Sequence, residues 1–148
     1  AAVHFAAAAE MRPDLPMPRL GEARALLLAG RHLDARAALE EARRGFPRDP
    51  AVAHLLARVL ATAPAPRVRD GARALELASG LFAGRKTIAH GETVAMALAE
   101  LGRFDEAVSW QERLLEQARA DGAPELVVQA LEARLGDYAR GRPAREAW

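Results

Sequence analysis

Two arginines 34 positions apart, Arg24 and Arg58, offer the clearest recognition chemistry in this chain. A guanidinium presents a planar fork of donors that fits a carboxylate bidentately. The other reactive side chains are scattered. His4, His32, His54 and His90 each stand alone in their segments, so each reads as a surface or partly packed imidazole rather than a metal ligand or general base. Ser79 and Ser109 fall within helical patterns with no His at a usable spacing. Glu40-Glu41 and Asp105-Glu106 fall on helix surfaces or in first turns. A glycine-rich phosphate loop, a His-Glu-x-x-His pair and a nucleophile elbow are all absent from the sequence. The expectation is no catalytic residue, no metal site, no cofactor and no enzymatic activity.

Recognition by two side chains requires elements that hold them in register. Leu101-Gly102-Arg103-Phe104-Asp105-Glu106-Ala107-Val108 reads as a helix end, a Gly turn and an acidic first turn of a second helix. Ala107, Val108, Gln111, Leu114, Leu115 and Ala118 then recur at helical spacing, and Val94, Ala95, Leu98 and Leu101 form a matching stripe before the turn. Two short amphipathic helices so closely joined make an αα-hairpin, and one hairpin cannot bury both faces alone. Leu28-Ala29-Gly30-Arg31-His32-Leu33-Asp34-Ala35 repeats the pattern, and Asp70-Gly71-Ala72-Arg73-Ala74 opens a third copy. Near the start the interval is 34, from Ala8 to Ala42 and from Pro13 to Pro47.

This spacing resembles the tetratricopeptide repeat, a helix-turn-helix unit of about 34 residues that stacks into a solenoid. The resemblance covers nearly the whole chain and implies an all-α fold, a right-handed α-α superhelix of about three and a half hairpins. Residues 1–148 then form a single domain. Residues 1–13 are the second helix of a truncated repeat, 14–47 a complete repeat, and 48–86 a repeat with a long inter-helix loop. Residues 87–121 are a further repeat, 122–140 a capping helix and 141–148 a tail, loose or folded back. Asp14 to Met17 is expected as a turn, followed by a helix from Pro18 to Ala29. Aligning Ala35 with Ala74 puts an insertion of five residues in the stretch 63–71, expected as a tolerated surface loop. The capping helix is expected to bury Leu126, Val127, Ala130, Leu131, Leu135 and Tyr138, and to turn Gln129, Glu132, Arg134 and Asp137 to solvent.

Small residues fall in corresponding places: Ala23, Ala57 and Ala95 in the first helices, Ala35, Ala74 and Ala107 in the second. Where helix axes approach to about 8–10 Å, only a small side chain fits. Leu26, Leu60 and Leu98 fill the space between crossings.

The resemblance also implies a concave groove lined by the first helix of each hairpin. Met17, Leu20, Arg24, Leu27 and Leu28 are assigned to it from the first complete repeat. His54, Arg58, Ala61 and Thr62 come from the second, and Glu92, Met96 and Glu100 from the third. The candidate ligand-binding set is Leu20, Arg24, Leu27, His54, Arg58, Glu92 and Met96. In it the arginines take a carboxylate, and Leu20, Leu27 and Met96 give apolar contact. The competing expectation pairs Arg24 and Arg58 with a nearby carboxylate, Glu22 or Glu92. Some members of the family clamp a peptide C-terminus with Lys, Asn and Arg. This chain has no Asn, and its one Lys, Lys86, falls in a loop, so that clamp is not expected.

Composition narrows the partners. Net charge is +1 with acidic and basic side chains interspersed, which argues against a nucleic-acid binder. The dominance of Arg over Lys reads as the signature of a GC-rich genome. No run reaches about 18 apolar residues, so no membrane span is expected. Ala6 to Ala9 lacks a basic start and is followed by Glu10, so it is not read as a signal sequence. The absence of Cys excludes disulfides and leaves a cytoplasmic and a periplasmic setting equally open. The expected function is a protein-interaction scaffold holding a peptide segment or protein surface in its groove. The alternatives are a C-terminal recognition appendage of a larger enzyme, or a self-assembly module. With no initiator Met, the chain is expected to be cut from a longer protein. Homo-oligomer contacts are then expected through the truncated N-terminal helix.

Overall fold

The computed structural model describes residues 16–148, and the expected helix at 1–13, with any contact between copies through it, lies outside them. Among the described residues the chain is all-α. Its helices are α1 (Pro16–Leu28), α2 (His32–Gly45), α3 (Pro50–Thr62), α4 (Gly71–Gly84), α5 (Ile88–Glu100), α6 (Phe104–Ala120) and α7 (Glu125–Ala139), with a 3-10 turn at Pro66–Val68. Each α-helix packs on the next in the chain, and α1, α3 and α5 also touch one another in order. No helix of the described residues is long and apolar enough to cross a membrane.

Local chemistry sets the boundaries. Asp49 accepts from the Val52 N–H at 3.0 Å and Pro50 occupies the first turn of α3, both standard devices for starting a helix. Asp70 and Thr87 cap α4 and α5 in the same way. The turns after α1 and α5 are alike. Gly30 and Gly102 both take φ +75°, a left-handed conformation that favours glycine. Arg31 N–H bonds back to the Leu26 carbonyl and Arg103 N–H to that of Leu98, each at 2.9 Å. The helix-end carbonyls are thereby satisfied in a Schellman turn.

The core follows the expected small residues. Ala23, Ala57, Ala95, Ala35, Ala74 and Ala107 are all fully buried, with Leu26, Leu60 and Leu98 beside them. Helices α3 and α5 are buried nearly all round, through Val52 to Thr62 and Thr93 to Ala99. At Gly91 a Cβ would meet Leu114 Cδ2 at 2.5 Å, so glycine is what lets α5 lie so close to α6.

Four expectations are corrected. Helix α1 already includes Pro16 and Met17, ahead of the expected start at Pro18, because two prolines are compatible with a first turn that lacks intrahelical N–H partners anyway. The sequence pattern predicts a loop over 83–89 and a helix from about His90, but α4 runs to Gly84 and Thr87 caps α5 from Ile88, which leaves only 85–87 as the connection. The inserted stretch 63–70 is not a loose surface loop. Ala63 and Val68 are buried, Arg36 donates to the Val68 carbonyl at 3.1 Å, and Arg69 donates to the Ala63 and Pro64 carbonyls. In α7 the buried face is Val128, Leu131 and Tyr138, while Leu126 is 80% exposed and Val127 and Ala130 are also exposed. The helix is rotated by about one residue from its expected register.

Candidate functional site

Arg58 on α3 lies within the fields of Glu92 on α5, Arg134 on α7 and Arg24 on α1, and together they make a polar seam. Arg58 is its centre. Burial holds its pKa below the ordinary value; Glu92 opposes that shift, and the charges of Arg134 and Arg24 reinforce it. Burial likewise raises the Glu92 carboxyl, outweighing the favourable fields of Arg134 and Arg58. Glu22, the other carboxylate expected to hold an arginine here, approaches Arg19 instead, at 3.9 Å. Among the described residues neither Arg24 nor Arg58 closes an ion pair with Glu22 or Glu92.

The seam is short of acceptors. Arg58 Nε and the Tyr138 hydroxyl are buried with no hydrogen-bond partner among the described residues. Tyr138 is 1% exposed, and its phenol is raised chiefly by burial, with Glu92 adding to the shift. Buried polar groups are ordinarily paired, so two orphans beside one cluster call for an explanation. The charges of Arg134 and Arg58 act on one carboxyl that burial pushes toward its neutral form, and Arg24 adds a third positive charge beside Arg58. A carboxylate arriving from outside supplies what the seam lacks: negative charge and lone pairs.

At one flank stands a neutral imidazole. His54 Nε2 lies 2.9 Å from Thr93 Oγ1, whose own proton is engaged by the Ala89 carbonyl at 3.1 Å. His54 Nε2 is therefore the donor. Burial first, then the charges of Arg58 and His90, lower its pKa from 6.5 to about 4, so it is uncharged at neutral pH. His90 meets it edge-on, ring centroids 4.9 Å apart, and donates from Nδ1 to the Arg85 carbonyl at 2.9 Å. These two histidines, solitary in sequence, thus form a pair across a cleft of about 410 Å³ that Pro50, Leu81 and Arg85 also line. Among the described residues no three His, Asp or Glu side chains come together as metal ligands.

The apolar members of the expected set lie elsewhere. Leu20, Leu27 and Met96 are core side chains, exposed by only 2%, 4% and 4%. The apolar surface expected of them is not offered. Met17 and Leu28, by contrast, are exposed. The carboxylate pairs are structural. Glu40 is held by Arg73, Glu106 by the exposed Arg103, and Glu41 and Asp105 face solvent. Tyr138 is buried as the sequence predicts, but its hydroxyl carries no sequence signal of a polar role, and Arg134 is half-buried rather than turned to solvent. Their spacing of four places them on one helix face, and the burial of Tyr138 fixes which face that is.

No family model matches the chain, and no curated protein or solved structure is significantly similar to it.

Proposed function

We propose that the chain is a tetratricopeptide-like interaction module whose polar seam takes an acidic segment of a protein partner. The solenoid arrangement is supported by the recurring small residues at buried positions, the matching glycine turns after α1 and α5, and the ordered contact of α1, α3 and α5. The observation that carries the functional reading is Arg58, a half-buried guanidinium with an orphan Nε, between two like charges and one reluctant carboxyl. Such an arrangement is unfavourable in the free chain and becomes favourable once an anion enters. A charge-assisted hydrogen bond contributes about 1.5–3 kcal/mol, which corresponds to roughly tenfold or more in affinity.

The test is fluorescence anisotropy with a labelled oligo-glutamate peptide against an oligo-glutamine peptide of equal length. The expected result is saturable binding of the acidic peptide only, weakened by salt and by Arg58→Met by about tenfold or more. Equal binding of both peptides, or indifference to Arg58→Met, would contradict it.

A further inference from the structure

After α7 the chain reverses at Gly141, φ +69°, and residues 142–148 run back across the C-terminal ends of the odd-numbered helices. The segment touches the array one hairpin at a time. Arg145 Nη1 lies 2.8 Å from Glu100 Oε2 at the end of α5, a close ion pair though too oblique for a hydrogen bond. The Glu146 N–H donates to the Thr62 carbonyl at 2.8 Å and the Ala147 N–H to Thr62 Oγ1 at 3.2 Å, both at the end of α3. Trp148 stacks obliquely on His32 at the start of α2, ring centroids 5.3 Å apart. Ala144 and Ala147 are buried in the hydrophobic core, and Trp148 packs against that core.

Two groups of the seat are held by residues outside this segment. Thr62 Oγ1 gives its proton to the Arg58 carbonyl at 2.6 Å, which leaves its lone pairs outward as an acceptor. Glu100 is already held by Arg69 at 2.8 Å through its other oxygen, so the carboxylate is fixed before Arg145 arrives. The occupant, however, fits with strain. Glu146 is the one described non-glycine residue at positive φ, +56°, a left-handed conformation that disfavours a side chain with Cβ.

We propose that this rim is a peptide-docking track for an extended segment with the pattern small residue, Arg, any residue, small residue, aromatic. Ala144 to Trp148 fills it in cis as a displaceable competitor. A partner segment carrying glycine in place of Glu146 reaches the same contacts without the left-handed strain and therefore displaces the tail. Only a fraction of the chain has the track open at any moment, and the apparent affinity for a competitor falls by that fraction.

The test uses the full chain with its tail loosened by Arg145→Glu and Trp148→Ala, and a labelled synthetic peptide of residues 141–148 as the probe. Circular dichroism is recorded alongside anisotropy. The expected result is saturable binding to the loosened chain and binding at least about tenfold weaker to the unaltered chain. The Glu146→Gly peptide binds more tightly, and an Arg145→Glu peptide not at all. Adding Arg58→Met to the loosened chain leaves the affinity unchanged, so the track is tested separately from the arginine seam. Three outcomes overturn the proposal: loss of helicity on loosening, which makes the tail part of the fold; a folded loosened chain that does not bind; or equal affinity of loosened and unaltered chains.

Discussion

Two stretches of the same helices treat their polar groups in opposite ways. At the C-terminal ends of α3 and α5, Thr62 and Glu100 are engaged from several sides by Arg69, Arg145 and the backbone of the tail. One turn upstream on α3 and two turns upstream on α5, Arg58 and Glu92 close no ion pair among the described residues, and there Arg58 Nε and the nearby Tyr138 hydroxyl have no hydrogen-bond partner. Both stretches are largely screened from water, so burial alone does not explain the difference. What differs is whether the chain itself supplies the complementary group. Ion-paired and hydrogen-bonded groups at the rim stabilise this fold, whereas the unpaired groups in the seam weaken it, and on the function proposed above a ligand relieves them. The contrast predicts that substitutions in the two places have opposite consequences.

The largest effect is expected at the rim. Glu100→Ala leaves Arg69 and Arg145 without their shared carboxylate, and at 15% side-chain exposure that loss is expected to cost about 2–3 kcal/mol in urea unfolding. Next is Thr62→Val, which orphans the buried Ala147 N–H and should cost about 1–2 kcal/mol. The seam behaves otherwise. Arg58→Met removes an unpaired, half-buried charge and is expected to leave stability unchanged or raise it by up to about 1 kcal/mol, while abolishing the acidic-peptide binding. A comparable loss of stability at Arg58 and at Thr62 would erase the distinction.

A further effect is a pH dependence. His54 titrates at about 4 in the folded chain against 6.5 ordinarily, so on acidification the unfolded chain takes up this proton first. Stability therefore declines as pH falls from 6.5 toward 4. Glu92 works in the opposite sense, because its raised pKa makes the folded chain protonate first. Thermal melts of His54→Gln across this range should lose the decline and keep the Glu92 contribution. An unchanged decline would show that His54 is not desolvated by the seam.

Much of this architecture is legible from residue type and spacing. The six alanines assigned to helix crossings are fully buried, and the two glycine turns share one geometry. Arg58 and Glu92 are marked in the sequence by the expected repeat spacing, and both are half-buried in the structure. Depth was harder to read. Leu20 and Leu27 carry the same apolar signal whether they line a groove or a core, and only the packing of α1 on α2 and α3 decides between them. Helix α7 contains Leu126, Val127 and Val128 in succession, so two registers fit the periodicity and Arg134 was assigned to the wrong face. The stretches 63–70 and 141–148 have no period at all. Their positions come from tertiary partners, Val68 and Arg69 in one case and Thr62 and Glu100 in the other.

The central claim is that the arginine seam is an incomplete site awaiting an anion. Arginine Nε–Hε resonances followed by NMR during titration with oligo-glutamate test it most directly. The account predicts a saturable shift of the Arg58 Nε signal, accompanied by the Tyr138 ring and absent in Arg58→Met. Shifts confined to exposed arginines such as Arg44 and Arg48, with Arg58 unmoved, would contradict it.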